Sequence, residues 1–224
     1  MFFPIKDENP TEINPILTYL LIIINATVFI YSIINGKLPE IAQNWGMIPK
    51  EIVAGENIHK IFTSMFIHGG IFHALGNIWF LFIFGDNIED LFGRSEFLVI
   101  YFLSGIIAAM AHIALNPGST RVTIGASGAI SGILGAYMVK YPRAKVLTLV
   151  YWLIIKVPSI VFLGVWILMQ FVYASYTVIA GVNIEVAYWA HVGGFVAGVL
   201  LALIFPEREN VPRRRHLSYN EDFL

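Results

Sequence analysis

Uncharged apolar runs alternate with short charged or polar breaks along the chain. A helix needs about 20 mostly apolar residues to cross a bilayer. On that measure Leu17 to Ile34 predicts a first span, Ile61 to Gly85 a second, Phe97 to Leu115 a third, Ser127 to Val139 a short fourth, Pro158 to Tyr173 a fifth and Val186 to Phe205 a sixth. The early part of the second window holds His68, Gly69 and Gly70 and reads as loop, and Asn116-Pro117-Gly118 ends the third. Val146 to Ile155, "VLTLVYWLII", is too short to cross, and Lys156 and Pro158 interrupt its continuation; it reads as an interfacial segment or as the lead-in to the fifth helix. Gly36 to Gly70 mixes apolar and polar residues and fits short helices lying at the membrane surface. The expected fold is all-α, a polytopic six-transmembrane-helix bundle over residues 15–206. Residues 1–14 form an N-terminal cytoplasmic segment and 207–224 a cytoplasmic basic tail.

Composition agrees. The 224 residues are 57% hydrophobic and 13% charged, against about one quarter charged in soluble domains. An integral multi-pass protein in a lipid bilayer is expected. Net charge of −1 gives no footing for a nucleic-acid partner. The absence of cysteine excludes disulfides, thiolate metal sites and a cysteine nucleophile. "MFFPIKDENP" lacks the order of a secretory signal. No internal repeat supports an inverted-repeat transporter. Six spans place both termini on one side. That side carries Lys6, Arg94, Lys140, Arg143, Lys145, Lys156, Arg208 and the run Arg213, Arg214, Arg215, against Lys37, Lys50, Lys60 and Arg121 on the other. The positive-inside rule then makes both termini cytoplasmic, and a prokaryotic cell membrane is the expected location.

Polar side chains inside a membrane are costly and point to function. His68, His73, Asn77 and His191 stand out, all near the external side. His73 and Asn77 are four apart and share one helix face. Ser127 opens the fourth helix at comparable depth, within "TIGASGAISG". The glycines around it carry a packing meaning. Gly128, Gly132 and Gly135 form a small-residue stripe on the fourth helix, as Gly194 and Gly198 do beside His191 on the sixth. Two such stripes in contact would bring Ser127 Oγ within reach of His191. A neutral imidazole can take the hydroxyl proton. Asn77, His73 and the amide of Ser127 at a helix start are suitable donors to an oxyanion. No carboxylate near the external side offers a third member, so a dyad is the economical reading. Taken singly, each residue also has a plainer role: Ser127 as packing, Asn77 as interhelical glue, His112 as an isolated interhelical hydrogen bond, and Asp86, Glu89 and Asp90 as a solvated helix end or structural network.

"TSMFIHGGIFHALGN" (63–77), "GDNIEDLFG" (85–93), "GASG" (125–128) and "AHVGGFVAG" (190–198), in this order, resemble the rhomboid family of intramembrane serine proteases over roughly residues 15–206. The resemblance implies Ser127 as nucleophile, His191 as general base, and His73 with Asn77 in the oxyanion hole. It implies supporting parts for His68, Gly125, Gly128, Gly194 and Glu89, transmembrane proteins as substrates, and neither cofactor nor metal. Two departures stand out. His59-Lys60 replaces a Trp-Arg pair common in the first loop, which loses the guanidinium fork. Ser131 stands where some members stack an aromatic on the histidine, leaving open how His191 is oriented. The expected activity is a serine endopeptidase cleaving bonds in or near transmembrane segments. Its rivals are a catalytically silent relative that binds transmembrane helices and a polar-lined channel or transporter. A metalloprotease lacks its HExxH motif.

Overall fold

The computed structural model describes residues 2–180 and 186–208. The Arg213–Arg215 run, and all of the basic tail beyond Arg208, lie outside the described residues. The elements run β1 (Phe2–Asp7), α1 (Ile16–Ile34), α2 (Leu38–Trp45), α3 (Pro49–Val53), α4 (Lys60–Thr63), α5 (Ile71–Phe92), α6 (Arg94–Leu115), α7 (Ser127–Lys140), β2 (Lys145–Val150), β3 (Leu153–Pro158), α8 (Ser159–Ala180) and α9 (Tyr188–Ile204). Four helices among the described residues, α1, α5, α6 and α8, are long and apolar enough to cross a membrane; α9 is apolar but shorter.

Helix α7 is the axis of the molecule. Every residue from Gly128 to Tyr137 is buried, which only a helix enclosed on all sides allows. It spans 14 residues, hence about 21 Å at 1.5 Å per residue, well short of the roughly 30 Å hydrocarbon thickness. Its first residue, Ser127, is half-buried, at the edge of this enclosed stretch.

Glycine sets how closely α7 meets α9. A methyl group on Gly198 would lie 1.8 Å from the Gly132 carbonyl oxygen, one on Gly194 2.0 Å from that of Gly128, and one on Gly135 2.2 Å from that of Phe195. No side chain fits along this seam, so backbone meets backbone. On the opposite flank a methyl on Gly132 would strike the Ser104 side chain of α6.

The all-α expectation needs correction at one end of the bundle. Val146 to Ile155, expected as an interfacial segment or the lead-in to the fifth helix, is β-structure: it falls in the hairpin β2–β3, which turns through Tyr151 and Trp152 and runs on directly into α8. The run holds Val, Ile, Thr, Tyr and Trp, the β-branched and aromatic types that favour strands. Strand β1 pairs antiparallel with β2 and completes a three-stranded sheet in the order β1-β2-β3. Residues before the first helix thus supply the outer strand that covers the edge of β2. Trp79 Nε1 of α5 donates to the Pro4 carbonyl at 2.7 Å. Tyr137 Oη and Asn87 Nδ2 donate to Asp7 Oδ2 at 2.7 and 3.0 Å.

The acidic end of α5 is built into this region. Glu89, fully buried, accepts from the Leu17 and Thr18 amides at 3.0 and 2.8 Å and from Thr18 Oγ1 at 2.9 Å. It supplies the free N–H groups at the start of α1 with an anionic acceptor, since Pro15 gives that end no side-chain cap. Asp90 accepts from the Glu12 amide at 2.8 Å and pairs with Arg208 at 3.3 Å.

Candidate active site

Three helix starts meet at the other end of the bundle, those of α5, α7 and α9. The extended loop from Asn116 to Ala126 drops into the space above α7. Met47 and Thr123 exchange two backbone hydrogen bonds, at 3.0 and 2.7 Å, and the Gly125 amide donates to the Ser64 carbonyl at 2.9 Å. The loop is thereby stitched to the segment between α1 and α5. Lys60, itself buried, helps hold that segment, reaching Glu51 Oε2 and the Gln43 carbonyl, each at 3.4 Å. Lysine thus anchors the first loop through single long contacts rather than a bidentate fork.

Ser127 is the first residue of α7 and His191 lies in the first turn of α9. The glycine seam fixes their separation: His191 Nε2 stands 2.8 Å from Ser127 Oγ. His191 Nδ1 stands 2.8 Å from Oε1 of Gln170, on α8. The Trp166 ring, one turn before Gln170, lies 5.9 Å from the imidazole at 31°, and Tyr188 meets it edge-on at 6.3 Å. Ser131 is turned away, its Oγ donating to the Ser127 carbonyl at 2.6 Å. Where Ser131 offers no aromatic surface to the histidine, Trp166 of a different helix does.

The second-helix residues separate into near and far. Gly125 has a φ of +125°, open to glycine and strained for other residues. A methyl there would sit 2.6 Å from His73 Nε2 and 3.7 Å from Ser127 Oγ. His73 and Ser127 therefore flank the same glycine. The Gly69 amide donates to His73 Nδ1 at 3.4 Å, which leaves the ring proton on Nε2, the atom facing Gly125. Asn77 is buried and its Nδ2 donates to the His73 carbonyl at 3.0 Å; with two amide protons, one stays uncommitted by this bond. His68 is 1% exposed and packs edge-on to His73 at 5.2 Å and to Phe29 at 6.4 Å. Burial pushes its imidazolium down to about 4, so the ring is neutral. His112 has closer company than its sequence position shows: Nε2 meets Thr123 Oγ1 at 3.3 Å, and its carbonyl accepts from Asn116 Nδ2 at 2.9 Å. Among the described residues no group of three or more His, Cys, Asp or Glu side chains could hold a metal ion.

Gly128 and Gly194 lie in the α7–α9 seam and Gly125 under His73, whereas Glu89 sits at the far end of α5, away from this cluster. Gln170, Trp166 and Tyr188 were not foreseen from the sequence. The signal was present for Gln170, an amide inside the fifth apolar window, where a polar side chain must find a partner.

The described residues thus form a mostly helical, membrane-type fold in which a serine and a histidine from two packed helices stand in hydrogen-bond contact. The sequence matches the Rhomboid domain family over residues 55–208, and the chain belongs to the rhomboid family. It is 29% identical over 211 residues to Rhomboid protein 1, mitochondrial, of Saccharomyces cerevisiae, covering 90% of this chain and 57% of that protein. It is 32% identical over 127 residues to Rhomboid protease GluP of Bacillus subtilis, covering 56% and 24%. It is also 27% identical over 150 residues to Inactive rhomboid protein 1 of Rattus norvegicus, covering 67% and 16%. The chain spans little more than half of these relatives' length, or less.

Proposed function

We propose that this protein is an intramembrane serine endopeptidase that cleaves peptide bonds in or near the transmembrane segments of other membrane proteins, with Ser127 as nucleophile and His191 as general base. The observation that carries this reading is the 2.8 Å approach of His191 Nε2 to Ser127 Oγ at the start of a buried helix. Ser127 Oγ attacks the substrate carbonyl as its proton passes to Nε2. The imidazolium then returns that proton to the leaving amine, and water hydrolyses the acyl-enzyme with the same base. The oxyanion meets the Ser127 amide at the positive end of α7, the His73 Nε2–H and the free Asn77 amide proton. No cofactor takes part.

In this reading α1, α5, α6, α7, α8 and α9 are six spans within residues 15–206, both termini are cytoplasmic, and residues 207–224 form a basic cytoplasmic tail. The site then opens toward the external side, where water for deacylation can enter. A prokaryotic cell membrane remains the location we favour. The rival is a silent helix-binding relative, since one named relative is inactive; the intact pair in hydrogen-bond contact favours the enzyme.

The test is incubation of the purified protein, reconstituted in liposomes, with a panel of single-pass membrane proteins. The expected result is a discrete internal cut by wild type and none by Ser127→Ala. Equal cleavage by both, or by neither, overturns the proposal.

A further inference from the structure

The general base of a serine hydrolase must present a bare nitrogen to the hydroxyl. A neutral imidazole has one protonated and one bare nitrogen, and the partner of the far nitrogen decides which is which. A carboxylate often serves as that partner; among the described residues the side-chain hydrogen-bond partners of His191 are Gln170 and Ser127. The atom facing Nδ1 is Gln170 Oε1, at 2.8 Å. An amide oxygen only accepts, so this contact requires the proton on Nδ1. Nε2 is then bare and accepts from Ser127 Oγ at its own 2.8 Å. The opposite tautomer would donate Nε2–H to Oγ and leave the hydroxyl proton with nowhere to go. We propose that Gln170 is a positioning residue of the hydrolytic site, holding His191 in the tautomer that accepts the Ser127 proton; this rests on the serine-hydrolase reading above.

The placement of Gln170 gives the contact a wider meaning. Gln170 and Trp166 are four apart on α8 and so share one face, and both bear on the same imidazole. The ring is held at Nδ1 by one and across its face by the other. Helix α8 is also lightly enclosed: its buried side chains are Ser159, Phe162, Leu163 and Ala174. The orientation of the base is thus set from a third helix, outside the glycine seam that brings α7 and α9 together. A silent Gln170 would simply satisfy its own amide in an apolar setting. That plainer role and the positioning role separate on whether an acceptor at this position, rather than a side chain of this size, sustains the chemistry.

The experiment is labelling of the full-length protein in detergent by a fluorophosphonate probe. Maximal labelling rate, half-saturating probe concentration and unfolding temperature are read for wild type, Ser127→Ala, Gln170→Leu, Gln170→Met and Gln170→Glu. Gln170→Leu and Gln170→Met keep bulk without an acceptor. Each should lower the maximal rate roughly tenfold, as the loss of one hydrogen bond of ordinary strength does. The half-saturating concentration and unfolding temperature should stay near those of wild type. Gln170→Glu restores an oxygen acceptor and should label at a rate near wild type. Wild-type rates in Leu and Met, an equally slow Gln170→Glu, or loss of rate only together with loss of the fold would each overturn the positioning role while leaving the hydrolase reading standing. A wild type that does not label, or labels as Ser127→Ala does, overturns both.

Discussion

A single methyl group on Gly194 would lie 2.0 Å from the carbonyl oxygen of Gly128. That relationship connects packing to chemistry, because Gly128 follows Ser127 and Gly194 lies one helical turn beyond His191. The distance between the two helices sets the distance between Ser127 Oγ and His191 Nε2. Gly194→Val should therefore force α9 away from α7. It is expected to lower stability by at least about 1–3 kcal/mol, the usual range for overpacking, and to abolish fluorophosphonate labelling even below its unfolding temperature. Thermal unfolding and labelling of the same preparation check both.

Asn77 should behave in the opposite way. Removing one oxyanion donor costs about 100- to 1000-fold in turnover in known hydrolases. Asn77→Ala is thus expected to cut turnover of a cleaved membrane substrate by a factor near that range, with only a small change in unfolding temperature. The intrahelical bond to the His73 carbonyl is a modest loss by comparison. A variant that chiefly unfolds would make Asn77 a structural residue.

Asp7 gives the other end of the bundle a pH dependence. Burial raises its carboxyl to about 7, against the lowering effect of the Tyr137 hydrogen bond and with a further push from Asp86. A carboxyl raised in the folded state binds its proton more tightly folded than unfolded. Its stabilising contribution is complete below the ordinary value of 3.8 and is lost as pH rises through about 7. The unfolding temperature of wild type should fall over that interval relative to Asp7→Asn, which keeps an acceptor for Tyr137 but cannot ionise. Parallel pH profiles for the two proteins would contradict the assignment.

Glu89→Ala tests the cap of α1. It strips the Leu17 and Thr18 amides and the Thr18 hydroxyl of their acceptor, and each buried donor left alone costs about 1–3 kcal/mol. A large drop in unfolding temperature is expected, while protein that remains folded should still label with the fluorophosphonate.

The helices and the juxtaposition at the site were legible for a local reason. Apolar run length and small residues three and four apart are carried by contiguous sequence, and they led to α1, α5, α6 and the α7–α9 seam. The sheet was not legible from such signals. Val146 to Ile155 has strand-like composition and folds back on its own continuation as a hairpin, but the strand that completes the sheet is Phe2–Asp7, more than a hundred residues away, and no local period records that pairing. Gln170 was missed for a related reason. Its meaning lies in which ring nitrogen it meets, and that depends on how α8 is set against α9. His112, read as isolated, has its neighbour Thr123 in an irregular loop that helical spacing cannot place.

The central claim is that His191 activates Ser127. Its most direct measurement is fluorophosphonate labelling of the intact protein followed by mass spectrometry of the modified peptide. On the proposed mechanism Ser127 and His191 act as one unit, so single and double alanine variants should be nearly equal in their loss. The account predicts one adduct, on Ser127, absent from Ser127→Ala, His191→Ala and the double variant alike. An adduct on Ser131, or labelling of Ser127 that persists in His191→Ala at the wild-type rate, would contradict it.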